Sequence, residues 1–205
     1  MRPSLQLSAS LAALAVLGTA ACGDLGDGSQ NENEVITTVL LRFAPMGGGA
    51  ALDAAFDDAD GDGGDPPRID PIDLAAGTTY TLTVRFQNKL EDPPEEITDE
   101  VADEGAEHQL FFTGTAVDGP AAAHPGAPLQ HSYADADFLG LPIGLSSTIA
   151  ASPGTGTLTV TLRHVPALDG APVKTSDLAE RVKAGGTGAI GGETDAEVSF
   201  AVTVR

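Results

Sequence analysis

The stretch Thr79–Gln87, TYTLTVRFQ, alternates strictly between apolar and polar side chains. Its apolar members are Tyr80, Leu82, Val84 and Phe86. Because successive side chains of a β-strand point to opposite faces of the sheet, this period of two predicts a strand with one buried and one solvated face. Strands of this kind are typical of antiparallel sheets.

The same alternation recurs in Thr157–His164 and Glu197–Arg205. Five weaker strand candidates are bounded by glycine, proline or aspartate: Val35–Phe43, Ala50–Phe56, Gln109–Val117, Leu129–Tyr133 and Leu145–Ala151. About eight strands without alternating helices predict an all-β fold, an immunoglobulin-like antiparallel β-sandwich spanning residues 34–205. The predicted core comprises Tyr80, Leu82, Val84, Phe86, Leu158, Val160, Leu162, Val198, Phe200, Val202 and Val204.

One short acidic helix is expected after Asp92, which resembles an N-cap and is followed by prolines and Glu95. Ile97 and Val101 lie one helical turn apart and would form its apolar stripe, and Gly105 would end it. Ser176–Ala184 can form a further turn or two of helix. The glycine-rich run that follows, 185–192, predicts a mobile loop without regular structure.

The N-terminus has the three parts of an export signal. Arg2 is followed by an apolar stretch, Leu5–Val16, and then by small residues up to Cys22. The small residues before this cysteine resemble the lipobox of bacterial lipoproteins, which implies that Cys22 carries lipid. Residues 1–21 are therefore predicted to be a lipoprotein signal peptide, and the polar residues 22–33 a flexible tether.

The chain contains 30 acidic and 10 basic residues, so its formal net charge is −20. This charge excludes a nucleic-acid-binding surface, which requires basic residues to neutralise phosphates. The single cysteine excludes a disulfide framework. Only one short apolar run is present, which excludes a protein with several transmembrane helices.

The acidic segment Asp57–Asp65 is the sharpest candidate for a binding site. Asp58, Asp60 and Asp62, followed by glycine, match the first half of an EF-hand calcium loop, in which oxygens on alternate residues surround one ion. Position twelve is Ile69 rather than glutamate, so Asp65, Asp70 or an acid from elsewhere in the chain would complete the ligands. The sequence therefore predicts Ca²⁺ at Asp58, Asp60, Asp62 and Asp65, with a solvated acidic turn as the alternative.

Catalytic motifs are absent from the sequence. The four histidines, His108, His124, His131 and His164, form no short-range zinc motif. The nucleophile elbow and the phosphate loop are missing as well. We therefore expect no enzyme, although a hydrolase with a dispersed acid pair stays open as an alternative.

Three segments, Asp57–Asp65, Ile97–Phe112 and Gly192–Val198, together resemble small bacterial envelope lipoproteins of unknown function. The resemblance implies a location at the bacterial cell envelope, with the domain lipid-anchored at the outer membrane on its periplasmic or surface side. The leading hypothesis is a binding or structural module, stabilised by calcium, whose partner besides the membrane is a protein or a glycan. The alternative is a periplasmic protein that captures a solute or a metal.

Cys22→Ser tests the predicted anchor. Because the lipid would be attached to the thiol of Cys22, the variant should leave the membrane fraction and appear as soluble or unprocessed protein. Cell fractionation followed by mass spectrometry of the N-terminal peptide measures both outcomes. An unmodified thiol on wild-type protein that is free in the periplasm would show that the prediction is wrong.

Overall fold

A computed structural model describes residues 34–61, 63–168 and 173–205, all within one compact unit, Asn33–Arg205. The predicted signal peptide, tether, Cys22 and Asp62 lie outside the described residues. The described chain is mostly β, with two sheets and two α-helices. In chain order its elements are β1 Thr38–Pro45, β2 Leu52–Asp57, β3 Arg68–Ile69, β4 Ile72–Leu74, β5 Thr79–Asn88, β6 Glu95–Glu96, α1 Thr98–Asp103, β7 His108–Thr113, β8 Val117–Asp118, β9 Leu129–Tyr133, β10 Ser146–Ala151, β11 Gly154–His164, α2 Leu178–Gly185 and β12 Glu193–Val204.

The strands form one larger and one smaller sheet. The larger sheet has the order β3-β2-β1-β5-β10-β9-β8, with β6 paired to β5, and the smaller sheet has the order β4-β12-β11-β7. The pairs β4–β12 and β8–β9 are parallel. All eight predicted strands are present, and the structure adds four strands of two or three residues that carry no alternation signal. The expectation of an antiparallel fold is wrong for the two parallel pairs, each of which includes one of these short strands.

The core consists of apolar side chains from both sheets. One cluster contains Leu82 and Phe86 of β5 together with Leu158 of β11 and Phe200 of β12. All eleven residues of the predicted core are buried, which confirms the alternation in β5, β11 and β12. Burial of these faces provides the main driving force for folding.

Helix α1 begins later than the sequence predicts. The two residues Glu95 and Glu96 form β6, which pairs with Gln87 and Asn88 at the end of β5. This tertiary pairing overrides the local capping signal around Asp92. The predicted apolar stripe is confirmed, since Ile97 and Val101 are buried against the core.

Helix α2 covers part of the outer face of the smaller sheet. Its Leu178 and Val182 pack with Phe111 of β7 and Val165 in a second apolar cluster. The prediction that 185–192 lacks regular structure is wrong, because a 3₁₀ turn forms at Thr187–Ala189. Within the described residues, neither helix is long or apolar enough to span a membrane.

A polar pair is buried in the core beside Phe112. The Nε2 atom of His131 lies 3.0 Å from Ser147 Oγ, and the two residues are 5% and 0% exposed. Burial lowers the pKa of His131 to about 4. In the unfolded chain His131 has the ordinary histidine pKa of 6.5. Between about pH 4 and pH 6.5, His131 therefore binds a proton in the unfolded chain but not in the folded one.

We expect His131 to make the fold sensitive to acid. Stability should fall as the pH decreases from about 6.5 to about 4, by up to about 3 kcal/mol from this residue. His131→Gln should flatten that slope in denaturant titrations at a series of pH values, whereas His124→Gln, at an exposed position, should keep it. Equal slopes in all three proteins would contradict the assignment.

Candidate metal centre

Two histidines meet at one end of the smaller sheet. His108 begins β7 and His164 ends β11, and the antiparallel register places them directly opposite each other. Their rings stack with centroids 4.6 Å apart and an interplanar angle of 14°. Both continue the apolar phase of their strands, so they extend the inward-facing row of Leu110 and Leu162 to the end of the smaller sheet.

A β-bulge brings an acidic side chain to these histidines. Leu162 pairs with Ala196, but the next residue, Arg163, pairs with Thr194. Asp195 is therefore the extra residue of the bulge. Because a bulge redirects side chains, Asp195 contacts the inward-facing His108, although simple alternation from Ala196 would turn it outward.

A second carboxylate comes from the residues that precede β1. The Oε1 atom of Glu34 lies 3.3 Å from His108 Nε2, and Oδ2 of Asp195 lies 3.9 Å from the same nitrogen. The side chains of Glu34, His108 and Asp195 are only 8%, 1% and 1% exposed. We call these three residues the Glu34–His108–Asp195 centre.

The other ring nitrogen of His108 faces the backbone. Nδ1 lies 3.3 Å from the carbonyl oxygen of Glu104, in the turn that follows α1. A proton on Nδ1 that is donated to this carbonyl leaves the lone pair of Nε2 directed at the two carboxylates. Histidine ligands of metals are usually oriented by a hydrogen bond of this kind.

Several buried atoms of the centre lack a hydrogen-bond partner within the part of the chain that the structure describes. They are Glu34 Oε2, His108 Nε2 and both carboxylate oxygens of Asp195. Burying a charged group without compensating bonds is costly, so such groups are rare in folded proteins. Their convergence on one point indicates a site for a ligand.

Arg163 holds the chain that leads into Asp195. Its guanidinium donates to the carbonyl oxygens of Gly191 and Gly192, at 2.9 and 2.6 Å, and to Oγ1 of Thr194 at 2.6 Å. The residue is 9% exposed. Its bonds therefore go to the backbone and hydroxyl of the neighbouring loop, and the carboxylate of Asp195 stays available.

The electrostatics of the centre favour binding of a positive charge. Burial and the nearby charge of Glu34 raise the pKa of Asp195 to about 6, against the opposing effect of His108, His164 and Arg163. Burial opposes the charged form of His108, but the Glu34 and Asp195 carboxylates outweigh it and raise the pKa of His108. Both shifts favour the protonated forms of Asp195 and His108 when no metal is bound.

The distances fit a small transition-metal ion. Bonds of about 2.1 Å in tetrahedral geometry place the ligand atoms of zinc about 3.4 Å apart. The observed separations of 3.3 and 3.9 Å between His108 Nε2 and the two carboxylates are close to this value. Calcium instead requires six to eight oxygens at 2.3–2.6 Å and has little affinity for imidazole.

A second group of three potential ligands shares His108. It combines His108 with Glu104 and His164, whose ligand atoms lie within 4.8 Å of one another. The side chain of Glu104 is 50% exposed, and the His164 ring also lies 3.5 Å from Glu107. Because water solvates the Glu104 carboxylate, this group gains less from binding an ion than the Glu34–His108–Asp195 centre does.

The acids of the predicted calcium loop are not part of these groups. The carboxylate of Asp60 accepts a hydrogen bond from the backbone N–H of Asp65 at 3.2 Å, as in an acidic turn. Within the described residues, neither group of potential metal ligands includes Asp58, Asp60 or Asp65. Since Asp62 lies outside the description, the calcium site stays a prediction.

The described domain is thus a β-rich protein with a buried histidine–carboxylate centre. No family model, curated protein or solved structure shows significant similarity to the chain. The resemblance to envelope lipoproteins therefore stays a prediction, and the function has to be argued from the centre itself.

Asp195→Asn tests the electrostatic description of the centre without metal. The raised pKa means that ionisation of Asp195 opposes folding above about pH 6, and that this penalty disappears as the pH falls towards 3.8. In the presence of a chelator at pH 8, the variant should be more stable than the wild type by about 1–3 kcal/mol.

Denaturant titrations measure the difference, with Asp103→Asn at an exposed position as the control. The advantage of Asp195→Asn should shrink at pH 5, where the wild-type carboxyl is mostly protonated. A variant that is less stable than the wild type at pH 8 in chelator would show that Asp195 is a structural ion-pair partner.

Proposed function

We propose that this chain is an envelope-anchored module that captures a divalent transition-metal ion, with zinc as the reference, at the Glu34–His108–Asp195 centre. One observation carries the proposal. Three ionisable side chains, each more than nine-tenths buried, converge and leave four buried polar atoms without a hydrogen-bond partner among the described residues.

A buried ion-pair network is the competing explanation. A single proton on His108 Nε2 can be donated to Glu34 or shared towards Asp195, but it cannot satisfy four carboxylate oxygens. One net negative charge would also remain buried. A divalent cation neutralises both carboxylates and uses the nitrogen lone pair, so it compensates the centre more completely than a proton does.

The ligand types select among cations. Imidazole suits zinc, copper, iron and nickel, whereas sites for magnesium and calcium are built from oxygen atoms. Three protein ligands also leave one position of a tetrahedral ion open to a water molecule or another ligand. The proposal therefore develops the metal-capturing alternative rather than the calcium-stabilised module.

The predicted cellular context agrees with metal capture. A lipid on Cys22 would retain the domain at the envelope, in contact with ions that enter from outside. The net charge of −20 raises the local concentration of cations around the molecule. We keep the immunoglobulin-like type of sandwich, the absence of enzymatic activity and the location as parts of this proposal.

Isothermal titration calorimetry of the chain from residue 22 onward, with Cys22→Ser to exclude thiol binding, tests the proposal. Zinc should bind with one ion per chain and release protons, because the ligands must be deprotonated. At a hundredfold excess over the dissociation constant, zinc should add about 2.7 kcal/mol to the stability.

Matched variants locate the ion. His108→Gln and Asp195→Asn should abolish tight zinc binding, whereas His124→Gln should leave it unchanged. Glu104→Gln separates the two groups of ligands, because it should affect only binding at Glu104, His108 and His164. Failure of zinc, copper, nickel and cobalt to bind, or binding that survives His108→Gln, would refute the proposal.

The same protein tests the acidic loop. A rise of the melting temperature with calcium that is lost in the double variant Asp60→Ala and Asp62→Ala would assign a second cation to the loop. Because His108 is absent from the loop, His108→Gln should leave any calcium response intact.

A further inference from the structure

The three ligands of the centre come from distant parts of the chain. His108 and Asp195 belong to β7 and β12 of the smaller sheet, whereas Glu34 precedes β1 of the larger sheet. An ion that binds all three would therefore connect the start of the domain to the opposite sheet and to its last strand.

The backbone near Glu34 is held from Thr37 onward. The N–H of Thr37 donates to Gln87 at 3.0 Å, and its carbonyl accepts from Asp58 at 2.9 Å. Glu34 lies three residues earlier, where Val35 is 51% exposed. Ile36 already packs against the core, whereas the side chain of Glu34 contacts His108, so this contact bears on the position of Glu34 and Val35.

Without an ion, charges near Glu34 oppose this position. The carboxylates of Glu34 and Asp195 lie 3.3 and 3.9 Å from the same nitrogen of His108, and their side chains are only 8% and 1% exposed, so two like charges are held close together away from water. A divalent ion would replace repulsion between Glu34 and Asp195 by attraction to a common centre.

We propose that the bound metal acts as a clasp that fastens Glu34 and Val35 to the smaller sheet, so that metal loading regulates how firmly the start of the described domain is attached. The inference rests on the proposed metal capture at this centre.

A nitroxide label next to the clasp tests the inference. In the Cys22→Ser chain, Val35→Cys provides a unique thiol at an exposed position, and Met46→Cys, 64% exposed on the turn after β1, is the matched control. Electron paramagnetic resonance should show a several-fold slower label motion at Val35→Cys when zinc is added. The label at Met46→Cys should keep its spectrum.

Glu34→Gln distinguishes the clasp from general stiffening of the domain. Loss of a group that only hydrogen-bonds to a metal ligand weakens metal binding by ~10–100-fold. Because Glu34 would be a ligand itself, this variant should lose at least as much zinc affinity. At saturating zinc, its Val35→Cys label should stay as mobile as without metal, while His108 and Asp195 still hold the ion.

Calorimetry on the labelled proteins separates failure of the clasp from failure of metal capture. Zinc binding without a change at Val35→Cys would overturn the clasp and leave metal capture intact. Immobilisation by zinc that persists in Glu34→Gln would also overturn it. If zinc does not bind to the labelled wild-type sequence at all, both proposals fail together.

Discussion

The register of β11 against its two neighbours controls both the core and the position of the Glu34–His108–Asp195 centre. Leu158, Val160 and Leu162 face the core only in this register, since a shift by one residue would turn every side chain to the other face. The same phase continues to His164 and, across the sheet, to His108. The centre is thus the polar end of an inward-facing row whose other members are apolar, and hydrophobic burial fixes its position.

Two of the buried polar sites in the described domain differ in how well their charges are satisfied. Lys174 Nζ, which is fully buried, donates to Asp137 at 2.9 Å and to the carbonyl of Gly105 at 2.6 Å. Asp137 also accepts bonds from the backbone of Leu139 and Leu141. Because the charges in this network are paired and hydrogen-bonded, a structural role accounts for them without a ligand. The Glu34–His108–Asp195 centre is incomplete by the same measure, and this contrast supports a ligand there.

Much of the fold could be predicted from local patterns, whereas the centre could not. The bounds of β9 agree with the prediction, and the phase of β5, β11 and β12 identified the core residues, because alternation is a property of consecutive residues. The strand β6 escaped prediction because Glu95 and Glu96 pair only through a partner distant in sequence. Asp195 escaped it because the bulge between Leu162 and Arg163 breaks the alternation that would have placed the side chain.

One signal for the histidines was nevertheless present in the sequence. His108 and His164 each continue an apolar phase, so both belonged on the buried face, where a histidine requires a partner. Motif spacing could not reveal that partner, because Glu34, His108 and Asp195 lie on three distant segments. The acidic loop has the opposite property, since its aspartates are neighbours in sequence whatever the rest of the chain does.

This difference in sequence separation has a thermodynamic consequence. An ion held by neighbouring aspartates closes a short loop and restricts the unfolded chain little. An ion held by Glu34 and Asp195 joins residues near both ends of the domain, and it can form all its bonds only when the two sheets are assembled. The unfolded chain does not bring the three ligands together, so the free energy of metal binding at this centre adds directly to the free energy of unfolding. The large sequence separation of the ligands explains why no sequence motif reveals the centre. For the same reason, an ion can bind there with all three ligands only when the whole domain is folded.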